Sequence, residues 1–295
     1  MSILSDIQES AAGYIGEVVQ GFDMGLSNLV EIAKADPSAP VEGFPTAELW
    51  NTAESISSSI GEGVAASLVG LFLMFELASV FNRSDTKGWD GIYWILMAFL
   101  KVAVMAAICN NMSLIITIVF ALSSSVVKAV GDAKSLDQAA EDLKTIAASL
   151  VEYYKGQSFF TVIMGAMMAF LVDAARMVSF MLADVVCKMR LIEIYVFTAV
   201  APVAISTLAS KEYQNIGISF IKRLLALGLQ GAFIVLVCSM YVTIVQATLN
   251  SLVPESGQVS GLNIGMLIPL VGYAVLLVIT IFRTGGWAKS LLQVN

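Results

Sequence analysis

Seven runs of this chain are dominated by apolar residues, at about 63–82, 92–109, 112–130, 158–187, 191–209, 224–248 and 264–282. Most approach the roughly 20 residues that an α-helix needs to cross bilayer hydrocarbon. The fourth is longer and has to tilt or protrude. The pattern predicts an all-α fold, with a polytopic membrane bundle of about seven spans over residues 63–295. "CNNM" (109–112) separates the second and third runs with two asparagines, enough for a tight turn. Between 131 and 157 the stretch "GDAKSLDQAAEDLKTIAASLVEYYKGQ" is mixed in charge and predicts a short helix outside the bilayer core.

Ahead of the spans, residues 2–34 carry Leu4, Ile7, Ala11, Tyr14, Val18, Phe22, Leu26 and Leu29 at intervals of three and four, the helical period. Ser5 followed by Gln8 has the form of a capping box. A basic leader and an uninterrupted apolar core are both missing, so the stretch does not read as a cleavable signal peptide. Three coverings are open to its apolar stripe: the protein's own membrane domain, a partner, or a lipid surface. Its acidic charges oppose the last. "ADPSAPVEGFP" (35–45) holds three of the six prolines and reads as a linker. A second amphipathic piece follows, from about Thr46 to Gly61. Residues 1–62 thus form an acidic amphipathic segment, expected outside the cytoplasm.

Composition fixes the solvent. Of 295 residues, 58% are hydrophobic and 13% charged, with a mean hydropathy of +0.83, whereas a soluble domain has about a quarter charged. Residues 1–62 contain ten acids and one base, a net −9, and the remainder carries thirteen acids and fifteen bases, a net +2. Such an acidic segment is repelled by nucleic acid and by anionic lipid. If all seven runs cross, one side of the membrane holds eleven bases and the other three. The positive-inside rule then puts the N-terminus outside and the C-terminus in the cytoplasm. If 191–209 is instead re-entrant, the split falls to eight against six.

Catalytic chemistry is sparse. There is no histidine, the commonest general base and metal ligand. Cys109, Cys187 and Cys238 lie in apolar runs without C-x-x-C spacing and read as small core residues. No phosphate-binding loop or nucleophile elbow occurs, which argues against an ATPase, a zinc enzyme or a serine hydrolase. No metal site or cofactor is implied. The sites of interest are ionisable residues within spans. Asp173 and Arg176 are three residues apart and share a helix face, and Asp184 lies three turns further along it. They read as a polar stripe joining helices, as the lining of a water-filled path, or as a proton relay. Glu76 and Lys101 each stand alone in a span, where a cross-helix pair is open to them. At the junction of runs four and five, Lys188 and Arg190 sit between Asp184 and Glu193, so the four charges can neutralise one another. Pro202 then removes a backbone donor near Thr198 and is expected to break the fifth run.

Residues 190–246, "RLIEIYVFTAVAPVAISTLASKEYQNIGISFIKRLLALGLQGAFIVLVCSMYVTIVQ", resemble the most recognisable block of the TrbL-like polytopic subunits of conjugative type IV secretion systems. The version carried by integrative conjugative elements of Gram-positive bacteria is the most similar. The matching positions are Arg190, Glu193, Ile194, Tyr195, Pro202, Lys211, Glu212, Tyr213, Gly217, Lys222 and Gln230. "VGYAVLLVITIFRTGGWAKSLL" (271–292) has the same family look, so the resemblance covers about 180–292. It implies a non-enzymatic channel or platform subunit of the inner membrane, through which single-stranded DNA and its relaxase leave the donor cell. The implied partners are other secretion subunits, including cytoplasmic ATPases, and the DNA–relaxase substrate in transit. A homo-oligomer embedded in the lipid bilayer is expected. A small-solute transporter or channel is the alternative, although a transporter often carries matching broken helices in two halves and only the fifth run has an internal proline of that kind. A purely structural scaffold without a lumen is the third reading.

Overall fold

A computed structural model describes residues 3–82, 89–132, 136–252 and 268–294. Arg83, Lys87 and Lys134, which enter the positive-inside count, and 253–267, which includes the start of the last apolar run, lie outside them. Among the described residues every regular element is helical, as the apolar pattern requires. The order is α1 (Ile3–Lys34), α2 (Thr46–Ile60), a π-helical turn (Gly61–Ala65), α3 (Ala66–Phe81), α4 (Trp89–Asn110), α5 (Met112–Asp132), α6 (Leu136–Lys155), α7 (Phe159–Ser206), a 3₁₀ turn (Thr207–Ala209), α8 (Gln214–Leu252) and α9 (Ile268–Leu291).

Among the described residues, five stretches are long and apolar enough to cross a membrane: Thr46–Ser79, Ile92–Asn110, Phe159–Ala209, Gln214–Ser251 and Ile268–Leu291. The apolar part of α5, Leu114–Ala129, is shorter. The largest departure from the sequence reading is α7. Runs 158–187 and 191–209, expected as two spans, form one helix of 48 residues. Charge at Lys188 and Arg190 does not break a backbone, and Lys, Met, Arg, Leu and Glu are all good helix formers. No Gly or Pro falls between Asp184 and Ala201 to end the helix. Pro202 does not break it either: it sits four residues before the helical end, and the 3₁₀ turn follows.

The chain resolves into two compact units, the first comprising Met1–Lys34, Val126–Lys188 and Gly231–Gly286. Here α1 packs along α6. Its buried stripe is Ala12, Ile15, Val18, Val19, Phe22, Leu26, Leu29, Val30 and Ala33, and α6 answers with Leu143, Ile146, Ala147, Leu150 and Tyr154. Ile7, expected on the stripe, is 44% exposed, because a straight helix drifts away from a seven-residue repeat. Ser5, expected to cap the helix, lies inside α1, and the Gln8 amide donates to the Gln157 carbonyl at 2.8 Å. The outer faces of both helices are charged and exposed, with Glu9, Glu17 and Glu31 on α1 and Glu141, Lys144 and Glu152 on α6.

The second unit comprises Ala35–Ser125, Met189–Gln230 and Trp287–Asn295. The linker is folded: Thr46 Oγ1 donates to the Ala39 carbonyl at 2.7 Å and accepts from the Val41 N–H at 3.2 Å. From Thr46 the helix runs through the π turn into α3, which packs on α4.

Candidate functional site

In the second unit the end of α7 is a hub. Arg190, 5% exposed, donates from Nε to the Leu227 carbonyl at 2.8 Å and from Nη2 to the Gly228 carbonyl at 3.3 Å. A buried guanidinium needs such acceptors. One turn on, the Tyr195 hydroxyl donates to the Pro37 carbonyl at 3.0 Å, and its ring meets Trp50 edge-on at 6.4 Å. Leu191 and Ile194 between them are fully buried, while Glu193 is half-buried. Beyond the helix, Tyr213 packs its ring 5.6 Å from that of Phe72. Gly217 and Gln230 are buried, Lys222 is half-buried, and Lys211, Glu212 and Arg223 are exposed. Arg190 and Tyr195 therefore tie α7 to α8, the linker and α2.

The same helix closes a cavity of about 440 Å³. One wall is a stripe of α2 and the π turn: Trp50, Glu54, Ser57, Ser58, Gly61 and Glu62. Cys109, Asn110 and Met112, where α4 meets α5, form the second wall, and Thr198 of α7 the third. The helices meet at Gly61, where a Cβ would lie 3.3 Å from the Cys109 carbonyl and against the Pro202 ring. Cys109 Sγ donates to the Pro202 carbonyl at 3.8 Å. Thr198 is 1% exposed and its Oγ1 has no hydrogen-bond partner. A π turn at such a place is frequent at functional sites. The sequence pattern marks 46–61 only as amphipathic. The signal was a second stripe, at 50, 54, 57, 58, 61 and 62, that is mainly polar.

In the first unit the charges within α7 hold α1. Arg176 donates to Asp173 Oδ1 from Nε at 3.0 Å and also from Nη2, and its Nη1 reaches the Gly21 carbonyl at 2.5 Å. The Tyr14 hydroxyl donates to Asp173 Oδ2 at 3.3 Å. Burial first, and the Asp173 charge second, push the Tyr14 phenol above its ordinary range, so it stays a donor. Phe22 and Phe180 lie 5.8 and 5.9 Å from the guanidinium. Any Cβ at Gly21 would fall on that guanidinium. Asp184 pairs with Lys188 at 2.7 Å through Oδ2, and its Oδ1 is buried without a hydrogen-bond partner. Glu76 and Lys101 are half-buried, and no salt bridge joins them among the described residues. The three cysteines are free and buried.

The sequence model of one family, described as TrbL/VirB6 plasmid conjugal transfer like protein, matches residues 27–202. That range includes every residue lining the cavity, the Asp173–Arg176 pair, and Arg190, Glu193, Tyr195 and Pro202. Lys211 to Gln230 lie beyond it. Comparisons with curated proteins and with solved structures find no match.

Proposed function

The chain belongs to the TrbL/VirB6 plasmid conjugal transfer-like family, and from that membership we propose that it is a platform or channel subunit moving single-stranded DNA and its relaxase across the donor membrane. At the coarser level it is a membrane subunit of a conjugal-transfer, type IV secretion system, of a family whose members are structural rather than enzymatic. The observation that carries the finer reading is the family match, which extends over most of the chain including the α7 hub. Energy comes from separate cytoplasmic ATPases, and the exposed Lys211, Glu212 and Arg223 are where such a partner docks. The test is mating. Deleting the gene from a donor should abolish transfer, and re-expression should restore it. Glu212→Gln should depress transfer while membrane abundance stays normal. Undiminished transfer by the deletion strain would overturn the reading, and undiminished transfer by Glu212→Gln alone would remove the docking assignment.

The membrane arrangement proposed with it has five crossings. α1 and α6 pack together with charged outer faces, which belong in water, so both lie on one side of the bilayer. An even number of crossings must then separate them. α3 and α4 cross, and α5 does not: its apolar part, Leu114–Ala129, measures about 24 Å at ~1.5 Å per residue, short of the ~30 Å core. Stretch 131–157, placed inside by the loop count, moves to the side of the N-terminus. That side holds Lys34, Lys128, Lys134, Lys144 and Lys155, and the other holds Arg83, Lys87, Lys211, Lys222, Arg223, Arg283 and Lys289. Seven bases against five keep the C-terminus cytoplasmic.

A further inference from the structure

Between Phe159 and Val185 every exposed residue of α7 is apolar. The ten large ones are 40–74% exposed. Together they present roughly 1,000 Å² of side chain, where the largest apolar patch of a typical monomer is about 300–600 Å². A hollow of about 490 Å³ indents this face, lined by Tyr14 of α1 and by Met164, Met167, Phe170 and Leu171 among others. α1 lies alongside: Gln8 reaches the Gln157 carbonyl, Tyr14 reaches Asp173, and Arg176 reaches the Gly21 carbonyl. At that same level α1 exposes Glu9, Glu17 and Gln20, and α6, packed on α1, exposes Glu141, Lys144 and Glu152. Hydrocarbon would strand those charges, and water would leave the α7 face bare. No single solvent suits both sides.

The five-crossing arrangement puts the charged side in water, so the α7 face needs a protein cover there. Length points the same way. At ~1.5 Å per residue the 48 residues of α7 extend about 72 Å, and a ~30 Å hydrocarbon core cannot cover all of it. The spacing says what the cover is. Phe160, Ile163, Met167, Phe170, Ala174, Met177 and Met181 follow one another at alternate steps of three and four. Three apolar heptads of this form are the pattern of a two-stranded coiled-coil seam. Charges beside a seam set the choice of partner. The exposed residues flanking this one, Leu171, Val178 and Val185, carry none, so a like helix meets no repulsion. The area suffices as well, since a specific interface takes about 800 Å² from each partner. We propose that this face of α7 is a self-association surface, on which a second copy of the chain lays its own α7. Both copies have one orientation in the membrane, so the two helices run parallel and equivalent residues meet across a two-fold axis. The pairing rests on the placing of α1 and α6 in water and not on the transfer role.

The test uses full-length protein in the membranes of the expressing cell. The three native cysteines are replaced by alanine, and single cysteines are introduced for cross-linking by a short bismaleimide, with abundance measured beside each. Met167→Cys, Phe170→Cys and Met181→Cys should each give a band of doubled mass, whereas Gln20→Cys on α1 and Thr145→Cys on α6 should not. Charge supplies a second measurement that needs no cysteine. Met167→Glu and Met167→Lys should each reduce co-purification of two differently tagged copies. One copy of each kind should co-purify again, because opposite charges then face one another. Doubled bands as strong at the control positions as at the seam would mean random collision and overturn the proposal. Absence of cross-linking at all three seam positions overturns it too, leaving lipid or a different subunit as the cover. So does undiminished co-purification of two Met167→Glu copies. Labelling of Thr145→Cys from outside by an impermeant reagent reads the membrane arrangement separately: seam cross-links without it overturn that arrangement and leave the pairing standing.

Discussion

Arg176 and Asp173 are only 12% and 16% exposed as side chains, so each depends on the other. Breaking a buried pair by removing one partner costs about 3–5 kcal/mol, because the remaining charge is stranded. Asp173→Asn should therefore lower the melting temperature of the purified protein and its abundance in membranes. The double change Asp173→Asn with Arg176→Gln should recover part of that loss. A double variant as poor as the single would mean that the two do not act as a pair. Glu9 and Lys155, at 2.7 Å, make the opposite case, since both are exposed and such pairs contribute little. The Lys155 hydrogen bond holds the Glu9 carboxyl below its ordinary 4.5. Its contribution is thus complete above that pH and fades as pH falls below it. Glu9→Gln should leave neutral-pH melting nearly unchanged and flatten its acid limb. The spacing of Asp173 and Arg176 was legible in the sequence, because a helix repeats in threes and fours. Tyr14, Gly21 and Phe22 were not, because contacts across some 155 residues leave no periodic trace. The cavity escaped for another reason: a polar stripe on an amphipathic helix looks like its wet side.

At the scale of elements, the apolar runs located the helices well, since burial and lipid both select for them. They could not tell two spans from one. A pair of charges between apolar runs reads as a loop at the interface, yet nothing at 188–190 disfavours helix. Proline separates the two cases. Met189→Pro lies in the interior of α7, where a lost hydrogen bond and a ring clash cost about 3 kcal/mol or more. Membrane abundance should collapse, whereas a loop at that position would tolerate the change. Normal abundance with retained transfer would argue for a break in α7.

For the whole molecule, the side shared by α1 and α6 can be read with thiol labelling after the three native cysteines are replaced. Ser38→Cys and Thr145→Cys should both react with an impermeant reagent applied outside intact cells, and Ser290→Cys should not. Opposite behaviour of positions 38 and 145 would rule out five crossings with this packing. The loop charges do not choose between arrangements by themselves, because a seven-to-five division is nearly even; the contact between the first helix and the sixth is what favours the proposed five crossings. That contact also sets an order of assembly. The partners of α1 lie in residues 136–188 and at Tyr241 of α8, so its apolar stripe is complete long before anything exists to cover it. At about 5–20 residues per second, the gap between Gly21 and Arg176 lasts on the order of ten to thirty seconds. With the proposed topology, the nascent N-terminus is during that interval an uncovered amphipathic helix on the outer side of the membrane, and a factor that shields it there would govern the yield of mature protein.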